Sequence, residues 1–175
     1  SLGANKAIVI DAVAPTITSV SSTTANGSYA VGNIIGITVL FSEIVTVTNT
    51  PTIMLETGVT DRIVNYSSGS GTNIFTFNYT VQSGDLSADL DYTTSTALAL
   101  SGGTIKDAAL NTATLTLPPP GAANSLGANK AISIVPNYTI MASTGIHGSI
   151  SPSGNITVTP GGSQMFTIIP EKYYT

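Results

Sequence analysis

The 175-residue chain has no cysteine and no tryptophan, a single histidine, and only 8% charged residues. Each shortage closes off a class of function. Without cysteine there is no disulfide, no thiolate nucleophile and no thiolate metal site. Five Lys and Arg residues, scattered singly in a chain of net charge −4, form no cationic stripe to displace counterions from phosphates, so no nucleic-acid partner is expected. Nor do they form a polybasic cluster for an anionic membrane surface. No apolar run approaches the ~20 residues of a membrane-crossing helix, which argues against membrane insertion in this segment. No stretch has the pattern of a signal peptide, so the signal of an exported parent protein is expected upstream of Ser1. The one histidine, His147, sits in the Gly-rich run TGIHGS and reads as a solvated turn residue. With no second general base near it in sequence, Ser/His catalysis is set aside and the chain reads as non-enzymatic.

What is present is apolar and β-branched. Hydrophobic residues reach 42%, too many for a disordered chain of such low charge. The missing polarity comes from Thr, Ser and Asn, which tolerate strand surfaces and turns. Strand-like runs recur at short intervals with turn signals between them, the pattern of a sandwich or barrel. Thr16–Ser21 alternates after Pro15 and suits an edge strand. Asn26-Gly27 marks a turn. Ile35, Ile37, Val39 and Phe41 share one face of a core strand over 33–41, and Phe75, Phe77, Tyr79 and Val81 share one face of another over 72–81. Shorter strands are expected around Ile53 and Leu55, over 62–66, near Leu90 and Tyr92, near Leu98 and Leu100, and over 113–117. Tyr92, at the start of a late strand, is placed to hydrogen-bond backbone across the end of a sandwich. Helix content should be near zero.

The chain also repeats itself. SLGANKAIVI at 1–10 returns as SLGANKAISI at 125–134, differing only in Val9 against Ser133. Such an internal repeat sets boundaries. Residues 1–11 read as the last strand of a preceding unit, 12–135 as one complete sandwich ending in the equivalent strand, and 136–175 as an incomplete small β module. That last piece is of a size at which an isolated β-unit rarely holds together.

The runs APTITSVSS, ANGSYAVGNIIGITVLFSEIVTVTNTPTIMLETG and FTFNYTVQSGDLSADLDYTTSTALALSGGTIKDAALNTATLTLP, closed by SLGANKAI, resemble the bacterial Ig-like repeats of large surface and adhesin-type proteins. The resemblance covers nearly all of 12–135. It implies an all-β, immunoglobulin-like antiparallel sandwich standing in tandem with its neighbours. One departure is KDAALNTA at 106–113, where such repeats commonly carry Ala-Gly-Asn; Leu110 in place of Gly puts the tight turn there in question. Residues 138–175 resemble the start of a divergent InlB-type B repeat, a small β module of bacterial surface proteins.

Calcium is the cofactor this resemblance allows, because tandem repeats of this kind often stiffen their junctions with Ca²⁺. The candidate ligands are Asp11, at the end of the incoming strand, and Asp107 and Asn111, in the loop before 113–117. Hard oxygen donors are what Ca²⁺ takes. The sequence has no dense D-x-D-x-D array, and Val135 stands at the second junction where Asp11 stands at the first. A second acidic group, Asp85, Asp89 and Asp91, reads as a solvated outer face beside a turn. Calcium is its alternative, and a glycosidase-like carboxylate pair the remoter one. Five Asn-X-Ser/Thr sequons are near expectation for so Asn- and Thr-rich a chain, and alternating Thr is what any solvated sandwich face shows.

The favoured function is a structural spacer or stalk module of a secreted or cell-surface bacterial repeat protein, an adhesin among the candidates, located extracellularly. The alternative is a glycan- or protein-binding accessory module of a secreted multidomain protein or enzyme. Tyr66, Tyr79 and Tyr92 lie in strand patterns that look structural rather than forming a sugar platform, which favours the spacer. The partners expected are the neighbouring modules of the same chain, with self-association by strand exchange through residues 1–10 as a further expectation.

Overall fold

A computed structural model describes residues 10–173. The reading of 1–11 as a strand of a preceding unit therefore falls almost wholly outside the described residues. Within them the fold is all-β and sandwich-like. The strands are β1 (Ile17–Ser22), β2 (Gly27–Tyr29), β3 (Ile34–Thr48), β4 (Thr52–Glu56), β5 (Arg62–Ser68), β6 (Thr72–Thr80), β7 (Asp91–Tyr92), β8 (Leu98–Ala99) and β9 (Thr104–Lys106). A helical turn, α1 (Leu126–Asn129), precedes β10 (Ile132–Ile134).

Two antiparallel sheets were expected over 12–135. The ladder is instead one continuous antiparallel sheet in the order β1-β3-β6-β5-β4-β7, with β9 also pairing β3 and β8 also pairing β4. It curls because β3 does not stop. No Gly or Pro interrupts the chain between Phe41 and Val45, and the β3–β6 register slips between Leu40 and Val45. Such an irregularity bends a strand and increases its twist. The first part of β3 thus pairs β1 and β6, while Thr46–Thr48 pairs β9.

The curled sheet wraps a single core. Ile35, Ile37, Val39, Phe41, Phe75, Phe77 and Tyr79 are all buried, as the alternation requires. Phe75 packs edge-on against Phe41 at 4.9 Å and against Tyr66 at 5.0 Å between ring centroids, a geometry that adds to area burial. The expected strand at 113–117 keeps its alternation, with Ala113 and Leu117 buried, but makes only an isolated bridge, Thr16 to Thr114. The strand expected over 125–134 is also revised. Ser125 caps α1, its hydroxyl accepting from the Ala128 amide at 3.2 Å, and only Ile132–Ile134 extends, pairing parallel with β2. Small residues and a good N-cap favour the turn where no alternation resists it. Tyr92 donates its hydroxyl to the Pro118 carbonyl, a backbone contact across the end of the sheet. Leu110 adopts φ 71°, so the tight turn in KDAALNTA forms without glycine.

The remaining strands, β11 (Tyr138–Ala142), β12 (Gly148–Ser151), β13 (Gly154–Val158) and β14 (Thr167–Pro170), make two antiparallel ribbons, β11–β13 and β12–β14. Among the described residues beyond Val135 only Ala142 is buried as a hydrophobic; Met141, Ile146, Met165, Ile168 and Ile169 are exposed.

Candidate metal centre

The loop between β9 and the Thr114 bridge is tied to the incoming chain by one side chain. Asn111 donates its amide nitrogen to the carbonyls of Asp11 and Val13, both at 3.2 Å, and to Asp107 Oδ2 at 2.7 Å. Asp107 is buried and in turn accepts the Asn111 backbone amide at 2.8 Å through Oδ1. Asp11, exposed, accepts the Val13 amide at 3.0 Å. The three sequence candidates, Asp11, Asp107 and Asn111, thus meet at one end of the module, across about a hundred residues of chain.

A fourth group joins them. Glu43, half-buried on the bent part of β3, brings its carboxylate so that single oxygens of Asp11, Glu43 and Asp107 all lie within 4.8 Å of one another. Nothing in the spacing around Glu43 marks it as a partner. It arrives only because β3 continues past Phe41 and pairs with β9, the strand that ends beside Asp107. Burial, and then the charges of Asp11 and Asp107, raise the Glu43 carboxyl above its ordinary value. Among the described residues no Lys or Arg pairs with the cluster. Three carboxylates are hard oxygen donors of the kind Ca²⁺ takes, whereas Asn111 turns its amide nitrogen, not its oxygen, toward Asp107. The donor set fits that ion, and a cation would offset the mutual repulsion that Glu43 registers.

The other acidic group is not the solvated face expected of it. Asp89 is exposed, but Asp85 and Asp91 are buried. Asp85 accepts from Arg62 Nε at 2.7 Å, the Tyr79 hydroxyl at 2.6 Å and the Gln82 amide at 2.8 Å. Burial would raise its carboxyl, but hydrogen bonds from Tyr79, Gln82 and Arg62 outweigh that and hold it below the usual range. Tyr79 is correspondingly pushed up, by burial first and then by its bond to Asp85. Asp91 accepts the Tyr92 amide and the Gly121 amide, each at 2.9 Å. Asp85 takes three protein donors and Asp91 two, so both carboxylates fasten loops. His147 lies in the second ribbon pair at φ 71°, with Nδ1 3.3 Å from Glu171 Oε2, lining an open groove with Ile146, Ile168 and Pro170.

No helix among the described residues is long and apolar enough to cross a membrane. Comparison of the chain with models of known protein families, with curated proteins and with solved structures finds no match.

Proposed function

We propose that this chain is a spacer module of a secreted or cell-surface bacterial repeat protein, transmitting position and tension rather than doing chemistry. The observation that carries the reading is where the chain enters and leaves 12–135. Thr16 is held beside Ser42, whose amide it receives at 2.8 Å, at the Phe41 end of the first part of β3. Val135 leaves beside Tyr29, near the Asn33–Val81 contact at the Ile34 end. Seven residues separate Ile34 from Phe41, roughly 24 Å at about 3.4 Å per residue. Entry and exit at opposite ends of the first part of β3 let units line up in series. Both junctions are short and carry proline, Pro15 and Pro136, which fixes φ and favours extended backbone.

The entry end adds a second element to this reading. Ca²⁺ held by Asp11, Glu43 and Asp107 would fasten the incoming segment to the β9 loop that Asn111 already clasps. The exit junction, with Val135 in the place of Asp11, would not respond. The test is small-angle scattering of a chain spanning two complete units, with calcium and with chelator. A rod-like profile, narrower in calcium, supports the spacer and its metal-stiffened entry. A rod unchanged by calcium supports the spacer alone, and a broad spread of shapes in both conditions rejects it.

A further inference from the structure

The segment 125–134 behaves as a plug seated in a groove of the unit it completes. Ser125 and Leu126 are fully buried, as are Ile132 and Ile134. Asn129 donates to the Val20 carbonyl at 2.8 Å and the Ser19 hydroxyl at 3.0 Å, and Lys130 to the Thr24 carbonyl at 3.2 Å. The Leu90 amide donates to the Ile132 carbonyl at 2.7 Å, and the Ile134 amide to the Ser87 carbonyl at 2.7 Å. Glycine at position 127 leaves room for two carboxylates. A Cβ there would stand 3.0 Å from Asp91 Oδ2 and 3.3 Å from Asp89 Oδ2.

Residues 1–10 carry every one of these features at the same spacing: Ser1, Leu2, Gly3, Asn5, Lys6, Ile8 and Ile10. The one difference falls where the seat is most tolerant. Ser133, half-buried, shares a 2.8 Å hydroxyl contact with Ser28 that is exposed to solvent, and Val9 would lose only that. We propose that the groove lined by β1, β2 and β7 is a docking site for residues 1–10 of a second copy of this chain, which competes there with the copy's own 125–134.

The partner we propose is a second copy, because the chain's own 1–10 would have to cross the unit on a fully extended connection. Six residues from Ile10 to Thr16 span at most about 22 Å. The seat of Ile134 lies at the opposite end of the unit from Thr16, roughly 24 Å away along the strands before any sideways path. A tethered plug acts at an effective concentration of order mM, so at micromolar protein each unit keeps its own. Exchange appears when that plug is disabled, and head-to-tail donation then yields dimers or longer assemblies. This surface is independent of whether the module serves as a spacer.

The experiment uses the full chain carrying Leu126→Asp and Ile132→Asp, followed by circular dichroism melting and light scattering over a range of concentrations. The expected result is a cooperative transition with a mass that doubles or more as concentration rises. Both properties should vanish when Leu2→Asp and Ile8→Asp are added. If the first variant is unfolded, a synthetic peptide of residues 1–10 at about the mM level set by the lost tether should restore the transition, and the same peptide with Leu2→Asp and Ile8→Asp should not. A first variant that is folded and monomeric throughout overturns the proposal. So does association that survives the second pair of changes, or an unfolded variant that the peptide leaves unfolded.

Discussion

Residues 12–135 and 138–173 are built from the same kind of sequence, short alternating strands joined by Gly-rich turns, yet only the first has a core. In the first, the inward face of each strand meets another inward face, because β3 is long enough to carry the ladder round a bend. In the second, β11–β13 and β12–β14 are separate ribbons; Ile140, Met141, Ile168 and Ile169 are exposed, and Ile150 and Ile156 are only half-buried. Alternation makes strands. Burial needs a second layer, and a lone two-stranded ribbon does not provide one.

The sharpest way to break this contrast is to remove one aromatic from the first region and one apolar side chain from the second. Phe77→Ala should lower stability by about 3–5 kcal/mol, from lost transfer energy plus a cavity. Ile168→Ala, at a 72% exposed residue, should stay within about 0.5 kcal/mol. Urea unfolding followed by tyrosine fluorescence reads both, and comparable losses would erase the distinction.

Next in size is the network around the buried Asp85, which Arg62 and Tyr79 hold. Tyr79→Phe leaves Asp85 short of a donor and should cost about 1.5–3 kcal/mol, the range for hydrogen bonds to charged groups. The folded Asp85 carboxyl is depressed, so its contribution is present above the unfolded value near 3.9 and is lost as pH falls through the folded value. Wild-type stability should therefore drop in acid, and Tyr79→Phe should flatten that drop. An unchanged acid limb in the variant would contradict the assignment.

A smaller effect is expected at Asn111. Replacing it with Ala removes the clasp between the β9 loop and the incoming chain, at about 1 kcal/mol for a typical net hydrogen bond. Hydrogen exchange should quicken at Leu110 and Asn111 and leave β6 protected. Glu43→Gln should give the smallest change. Its carboxyl is raised by burial and by like charges, so its ionised form costs stability, and the cost grows as pH rises through that carboxyl's range. In chelator the variant should melt slightly higher than wild type at neutral pH, and its response to added calcium should be weaker.

Much of the first region could be read from period-2 patterning, as the burial of Ile35 through Phe41 and of Phe75 through Tyr79 illustrates. Three features could not. β9 is three residues long, too short for a pattern, and is recognisable only once β3 has bent to meet it. α1 hides inside SLGANK because a single capped turn has no period to detect. Asp85 and Asp91 look like surface residues beside a turn, but the donors that bury them, Arg62 and the Gly121 amide, come from 23 and 30 residues away. The metal candidate was half visible: Asp11, Asp107 and Asn111 stood at a junction, while Glu43 depended on long-range strand pairing that local spacing does not record.

The central claim, that the unit passes the chain from one end to the other, can be measured on a single molecule. The absence of cysteine leaves the background clean for spin labels at Val13→Cys and Pro136→Cys, both exposed positions flanking the unit. Electron–electron dipolar spectroscopy should give a distribution centred beyond roughly 24 Å, the span of seven residues of strand. A main distance below about 15 Å, less than five residues of extended strand, would place entry and exit on the same side and contradict the account.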